Sequence, residues 1–589
     1  KIFSNDRLDI EFCIKNNKIL IFQCRTLSSM KKIDDESIFS MLVNIENKIK
    51  KIKLKSPFLK GKTTYLSNMA DWNPAEMIGS KSTPLALSLY SELITNDIWS
   101  KQREDYQYQT VSDHPLLFNL GGSAYVDLRL DINSFLPKNI PNFIKKKIVD
   151  HCLNKIKKNP SLHDKIEFDV IETCYDLESK KNIKKYLNNN QVNIYLNALK
   201  QLTNGIICNN YLEKEEKKIQ YLKNRLKLIK TSNLSHLQKI YFLVQNCKKY
   251  GTLPFAGAAR CAFVATKILR TLVKSKILDV DDIENFYSST KSITTEMNNL
   301  LYKLRFKKIK KSYFFEKFGH LRPSTYSISS KNYQEEFHKY FPKGIKLNFK
   351  SNKKFFLKKD KILKINKLFK KNEMKFDSKN FFEFSKKAIY YREEFKLIFT
   401  KCINDIFVNL ILFGKELGIQ RENLEYISIN TILNSYNNLD LKKFKIILKE
   451  EIKNNKKNFN SLKLIDLPDV ILDSSNIYNF EKKNSLPNYI TEKSITAKSI
   501  NFKNLKDNRN LKGKIVILES ADPGYDFIFS FDIKGLITKY GGANSHMSIR
   551  CLELGVPAII GVGEIRYKKL AKAKIININS QERNYKIIN

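Results

Sequence analysis

The residues best suited to chemistry lie in one run near the C-terminus, Tyr540-Gly-Gly-Ala-Asn-Ser-His-Met-Ser-Ile-Arg550. Gly541 and Gly542 allow a close backbone approach ahead of a helix, and Ser545 is of the type that caps one. His546 then falls in the first helical turn, where unpaired amides and the positive end of the helix dipole favour a phosphate group. Arg550 follows four residues later on the same face, in reach of phosphoryl oxygens. A neutral imidazole is a competent covalent nucleophile, so the run reads as a phosphoryl-accepting histidine, with Gly541, Gly542 and Ser545 holding the phosphate. A histidine that merely caps or packs a helix is the plainer reading of Gly-Gly-x-x-Ser-His alone.

The pattern is longer than that. Ala521-Asp-Pro-Gly-Tyr-Asp526, Gly535-Leu-Ile-Thr538, Gly541 to Met547 and Leu554-Gly-Val-Pro-Ala-Ile-Ile-Gly-Val-Gly563 follow in order. Together they resemble the mobile phosphohistidine domain of phosphoenolpyruvate-utilising enzymes, the phosphoenolpyruvate synthases and pyruvate phosphate dikinases. The resemblance assigns the phosphorylated histidine to His546. Plant members carry a regulatory threonine two residues earlier; Asn544 stands there, so that control is not expected.

A second constellation lies at the other end. Asp9-Ile-Glu-Phe-Cys-Ile14 and Ile19-Leu-Ile-Phe-Gln23 read as two strands around a polar turn, a hairpin too small to be stable alone. With Asp9-Ile-Glu11-Phe and Phe22-Gln23-Cys-Arg25 it resembles the closing strands of an ATP-grasp domain. The resemblance implies ATP and Mg2+ as cofactors, Glu11 and Gln23 as nucleotide or metal ligands, and Arg25 as a catalytic clamp on the transferring phosphate. An ordinary edge hairpin is the alternative. The chain opens on Lys1, not Met, and shows no signal peptide, so a missing upstream segment or a separate ATP-grasp chain is expected to supply the rest.

The elements that must position these groups form a multidomain α+β chain. Residues 1–28 read as the C-terminal hairpin of an ATP-grasp domain, 29–488 as a mainly α-helical central, acceptor-binding region, and 489–589 as a swivelling α/β domain. In the last, apolar runs at 514–518, 535–538, 556–560, 574–578 and 585–588 predict strands, with a helix ending near Gly555. In the middle, Phe255, Ala259, Ala262, Thr266, Leu269 and Val273 follow Pro254 at helical spacing. Ile403, Ile406, Phe407, Leu410 and Phe413 do the same before Gly418. A linker at 484–500 is the expected hinge.

Three central segments are dense in polar groups: Asp71-Trp-Asn-Pro-Ala-Glu-Met-Ile-Gly79 with Tyr125-Val-Asp-Leu-Arg129 beyond it, Gly251 to Arg260, and Phe318-Gly-His-Leu-Arg-Pro-Ser-Thr-Tyr326. The third resembles the Gly-His-Arg loop of rifampicin phosphotransferase, with Leu321 intruding. That implies an acceptor site including His320, Arg322 and Arg129, although these groups, like Trp72, Asn73 and Asp127, also suit a purely structural role. The chain ends at Asn589 without room for the pyruvate-binding barrel of ~250 residues, so its domain order looks like that of the antibiotic phosphotransferase.

The expected function is therefore an ATP-dependent phosphotransferase that relays phosphate through His546 to a small-molecule, sugar, pyruvate or lipid-linked glycan acceptor. A phosphoenolpyruvate-synthase-like enzyme with its barrel in trans, and a non-catalytic scaffold, are the alternatives. The net charge of +45 comes mostly from scattered lysines and does not form the Arg/Lys face of a nucleic-acid binder. No uninterrupted apolar stretch approaches the ~18 residues of a membrane span. Nine cysteines without a Cys-x-x-Cys pair fit a reducing cytoplasm.

Overall fold

A computed structural model describes residues 8–16, 18–26, 35–112, 114–343, 354–437, 440–480, 486–504, 508–542 and 545–588. The N-terminal strands β1 (Leu8–Lys15) and β2 (Lys18–Thr26) form the expected antiparallel hairpin, which remains a two-stranded sheet among the described residues. Its apolar side chains stay largely exposed, as at Phe12, Ile14 and Phe22.

The central region is helical around one small sheet. Strands β3 (Leu66–Ser67), β4 (Leu117–Leu120), β5 (Ser123–Asp127) and β6 (Val470–Ile471) pair in the order β4-β5-β3-β6. The helices that matter for the site are α1 (Ile98–Asp105), α2 (Leu253–Lys274) and α3 (Ser378–Glu416). Pro254 lies in the first turn of α2, where a missing N–H costs nothing. Helix α3 starts at Asp377, whose side chain accepts from the Asn380 amide at 2.8 Å, and stops before Gly418 at a φ of +68°. Both are core helices. Segments 236–274 and 378–416 are apolar enough to cross a membrane by length and composition, but 78% and 61% of their most apolar windows is buried within the fold.

The C-terminal unit is a seven-stranded sheet of β7 (Asn488–Ile490), β8 (Ser494–Asn501), β9 (Ile515–Leu518), β10 (Gly535–Thr538), β11 (Ala558–Ile560), β12 (Ile575–Asn579) and β13 (Asn584–Ile588), in the order β13-β12-β8-β9-β10-β11-β7. Strands β8 to β11 are parallel, and α4 (His546–Leu554) connects β10 to β11. The Ile-Val-Ile-Leu run of β9 is apolar throughout because both faces are covered. Ile515 and Ile517 face one apolar cluster with Ile537 and Ile559, while Val516 and Leu518 face another.

That second cluster does not end at the domain. It continues through Phe527 and Phe531 into Phe314, Phe318, Tyr333 and Phe341 of the central region. The expected flexible linker through 484–500 gives way here, because β7 and most of β8 occupy it and pair with β11 and with β9 and β12. An extended stretch with alternating burial on an open sheet face has few large apolar residues, so it reads as a linker in sequence.

Candidate functional site

Gly541 turns at a φ of +138°, and a Cβ there would lie 2.8 Å from Ile560 Cγ2 and 3.0 Å from Ala521 Cβ, so only glycine lets the loop pass. Ser545 then caps α4, accepting from the Ser548 amide at 3.3 Å, and the Ser548 hydroxyl donates to the Gly542 carbonyl at 2.8 Å. Ala543 and Asn544 lie outside the described residues. His546 is thereby presented at the helix N-terminus, 4% exposed.

Two carboxylates hold its ring. Asp526, of the same domain, lies 2.6 Å from Nε2, and Glu393, from the middle of α3, lies 2.7 Å from Nδ1. Burial alone favours a neutral ring, but Asp526 and Glu393 outweigh it and raise the imidazole above its ordinary value of 6.5. Burial in turn opposes ionisation of Glu393, yet His546 and Arg550 hold that carboxyl well below its ordinary range. Arg550 does not point away to await a phosphate. Its guanidinium donates to Glu553 at 2.7 Å and to Glu393 at 3.1 Å. Asp526 and Glu393 thus stand against the two ring nitrogens, and one carboxylate must withdraw before either nitrogen can carry a phosphoryl group. Glu393 is the one on another domain.

On its other side, His546 forms part of the wall of a cavity of about 150 Å³. Gly542 and Ser545 line it beside His546, and the central region supplies the rest from six stretches: 70–77, Tyr90 with Ile94, α1, 164–168, the N-terminal half of α2, and α3 at Arg392, Lys396 and Phe399. Trp72 and Asn73 adopt left-handed φ values of +68° and +44°, uncommon for non-glycine residues and concentrated at working sites. The Tyr90 hydroxyl donates to the Trp72 carbonyl at 2.6 Å, and Asn73 Nδ2 donates to Glu76 at 3.2 Å. Burial raises the Glu76 carboxyl to about 7, against the pull of Lys396. Burial likewise lowers the Lys396 ammonium, a depression that Glu393 partly offsets.

The other expected acceptor residues do not line this cavity. The His320 ring contacts the Leu397 carbonyl at 3.0 Å, and burial lowers it to about 3. Arg322 donates to Asn404 and to the Ser330 carbonyl, and Arg129 to the carbonyls of Leu54 and Ile52. All three are buried and engaged within the fold. The loop bearing His320 and Arg322 instead seats the C-terminal domain. Asp522 accepts from the Thr325 amide at 3.1 Å, and Tyr333 donates to the Gly524 carbonyl at 2.7 Å.

At the N-terminus, Glu11 and Gln23 stand directly opposite each other across β1 and β2, hence on one face. A carboxylate and an amide oxygen suit a hard cation but are two of the roughly six ligands magnesium takes, so the pair fits a partial site. Among the described residues no group of three His, Cys, Asp or Glu is arranged for a metal. Arg25 is placed by its backbone opposite Asp9, its side chain lying outside what is described.

Sequence reasoning passed over Arg392, Glu393 and Lys396. The available signal was three charges at helical spacing within the otherwise apolar, buried run of α3. Residues 511–583 match a family model described as the mobile domain of PEP-utilising enzymes. None of the curated proteins compared matches the chain.

Proposed function

We propose, from the match of residues 511–583 to the mobile domain of PEP-utilising enzymes, that this chain passes phosphate from ATP through His546 to an acceptor held in the central cavity. The observation that carries this reading is the carrier histidine standing in the wall of a cavity that Glu76, Arg392 and Lys396 also line. Charging takes place with His546 withdrawn from Glu393, because the docked ring has a carboxylate against each nitrogen. Glu11 and Gln23 would hold the magnesium that screens the nucleotide phosphates, with Arg25 on the transferring group.

Discharge takes place at this cavity, with Glu393 displaced from the ring by the phosphoryl group. Arg392 and Lys396 offset the charge on the phosphoryl oxygens, and Glu76, ionised above about pH 7, takes the proton from the acceptor hydroxyl. Asp526 steadies the ring as it leaves. Incubation with β-labelled ATP, Mg2+ and an intact ATP-grasp domain is expected to place acid-labile phosphate on His546, and His546→Ala is expected to abolish it. Absence of label from the wild-type chain under those conditions would sink this reading.

A further inference from the structure

We propose that the acceptor is an uncharged phenol or aromatic alcohol carrying a second oxygen that accepts a hydrogen bond, and not a carboxylate such as pyruvate. The inference rests on the phosphotransfer reading above and names the substrate class of the same cavity.

The arginines away from His546 already pair with carboxylates, although the Nε–H of Arg103 and that of Arg260 have no partner among the described residues. Arg103 meets Asp71 at 2.6 Å and Arg260 meets Glu167 at 2.9 Å, each pair largely buried. Both guanidinium groups also lie over the Phe135 ring, at 4.2 and 4.8 Å. A ligand carboxylate would have to displace a protein carboxylate from one of these pairs and leave it buried without its cation. The remaining cations lining the cavity, Arg392 and Lys396, belong to the phosphoryl position.

What faces the ligand is aromatic. Trp72 meets Phe255 edge-on at 5.8 Å, and Phe255 stacks on Phe399 at 5.7 Å. A cavity of about 150 Å³ with such walls holds a single benzene-sized ring. One neutral donor is left over. Gln102 Oε1 accepts from Arg103 Nη1 at 3.1 Å, and because arginine only donates, this fixes which end of the amide is which. Gln102 Nε2 is then a buried N–H with no partner in a residue that lines the cavity. Gln102 is 1% exposed, so the donor waits for a ligand oxygen.

In the transfer, the phenolic oxygen forms the P–O bond as the P–N bond breaks. The P–N electron pair returns to the imidazole, and the hydroxyl proton passes to Glu76.

The test is calorimetric titration of the chain, without nucleotide, using 3-hydroxyacetophenone and pyruvate. Saturable binding of the phenol, weakened five- to tenfold by Gln102→Leu and also by the conservative Trp72→Phe, is expected, with no binding of pyruvate. Binding of pyruvate, failure of the phenol to bind, or phenol binding indifferent to both substitutions would overturn the proposal. Because the titration needs no phosphohistidine, these outcomes are separate from the labelling of His546 that decides the phosphotransfer reading.

Discussion

Glu76 is buried beside Lys396 and Asp522, and its carboxyl stays protonated to about pH 7. If it takes the acceptor's proton as proposed, discharge of phosphohistidine is expected to rise with pH through about 7. Glu76→Gln is expected to slow single-turnover discharge by roughly 10²–10⁴-fold and to flatten that rise. A second readout is independent of activity. A carboxyl raised from 4.5 to about 7 on folding favours the native state fully below 4.5, and that contribution is lost as pH rises through 7. Glu76→Gln is therefore expected to raise the melting temperature at pH 8, by a stabilisation of order 3 kcal/mol, and to change little at pH 4. The placement of His546 at a helix N-terminus was legible in sequence because the run from Gly541 to Arg550 is contiguous, whereas Asp526 and Glu393, which hold its ring, lie outside that run. Glu76 was noticed only within a polar segment, and no role could attach to it. What makes it a base is burial beside residues some 320 and 446 positions away, which no local pattern encodes.

At the scale of elements, the seat between 318–326 and 522–526 holds the closest glycine contact among the described residues. A Cβ on Gly524 would stand 1.7 Å from the Arg322 carbonyl oxygen, so Gly524→Ala must push the loops apart. We expect a loss of about 1–3 kcal/mol in thermal unfolding and, in a labelling assay, charging of His546 that survives while transfer to an acceptor fails. The strands and helices of the C-terminal unit were readable from apolar runs and from punctuation such as Gly555, which closes α4 at a φ of +64°. The loop at 318–326 reads in sequence as an acceptor site, and in the structure its polar groups are engaged within the fold for a physical reason. Its Gly-His-Leu-Arg polarity is spent on neighbouring backbone and on the incoming Asp522-Pro-Gly524, and a sequence shows the donors but not their partners.

Across the whole molecule, the contacts between the central region and the C-terminal domain include an ionic one at His546 and an aromatic one at Phe527. The ionic one titrates. The raised His546 contributes fully below 6.5, and its share is lost as pH climbs through its folded value; the depressed Glu393 contributes fully above 4.5 and fails as pH falls through its own. Docking is therefore expected to be tightest between about 4.5 and 6.5, read as hydrogen-exchange protection of α4, with Glu393→Gln weakening it and removing the acid limb. The aromatic contact, Phe527 and Phe531 against Phe314, Tyr333 and Phe341, has no such dependence, and it does something else. Phosphoramidates are prone to spontaneous hydrolysis, and any carrier that waited in open water would leak its charge as heat. With His546 closed away from bulk solvent, a loaded arm without an acceptor is expected, under the proposed relay, to keep its phosphate until one arrives.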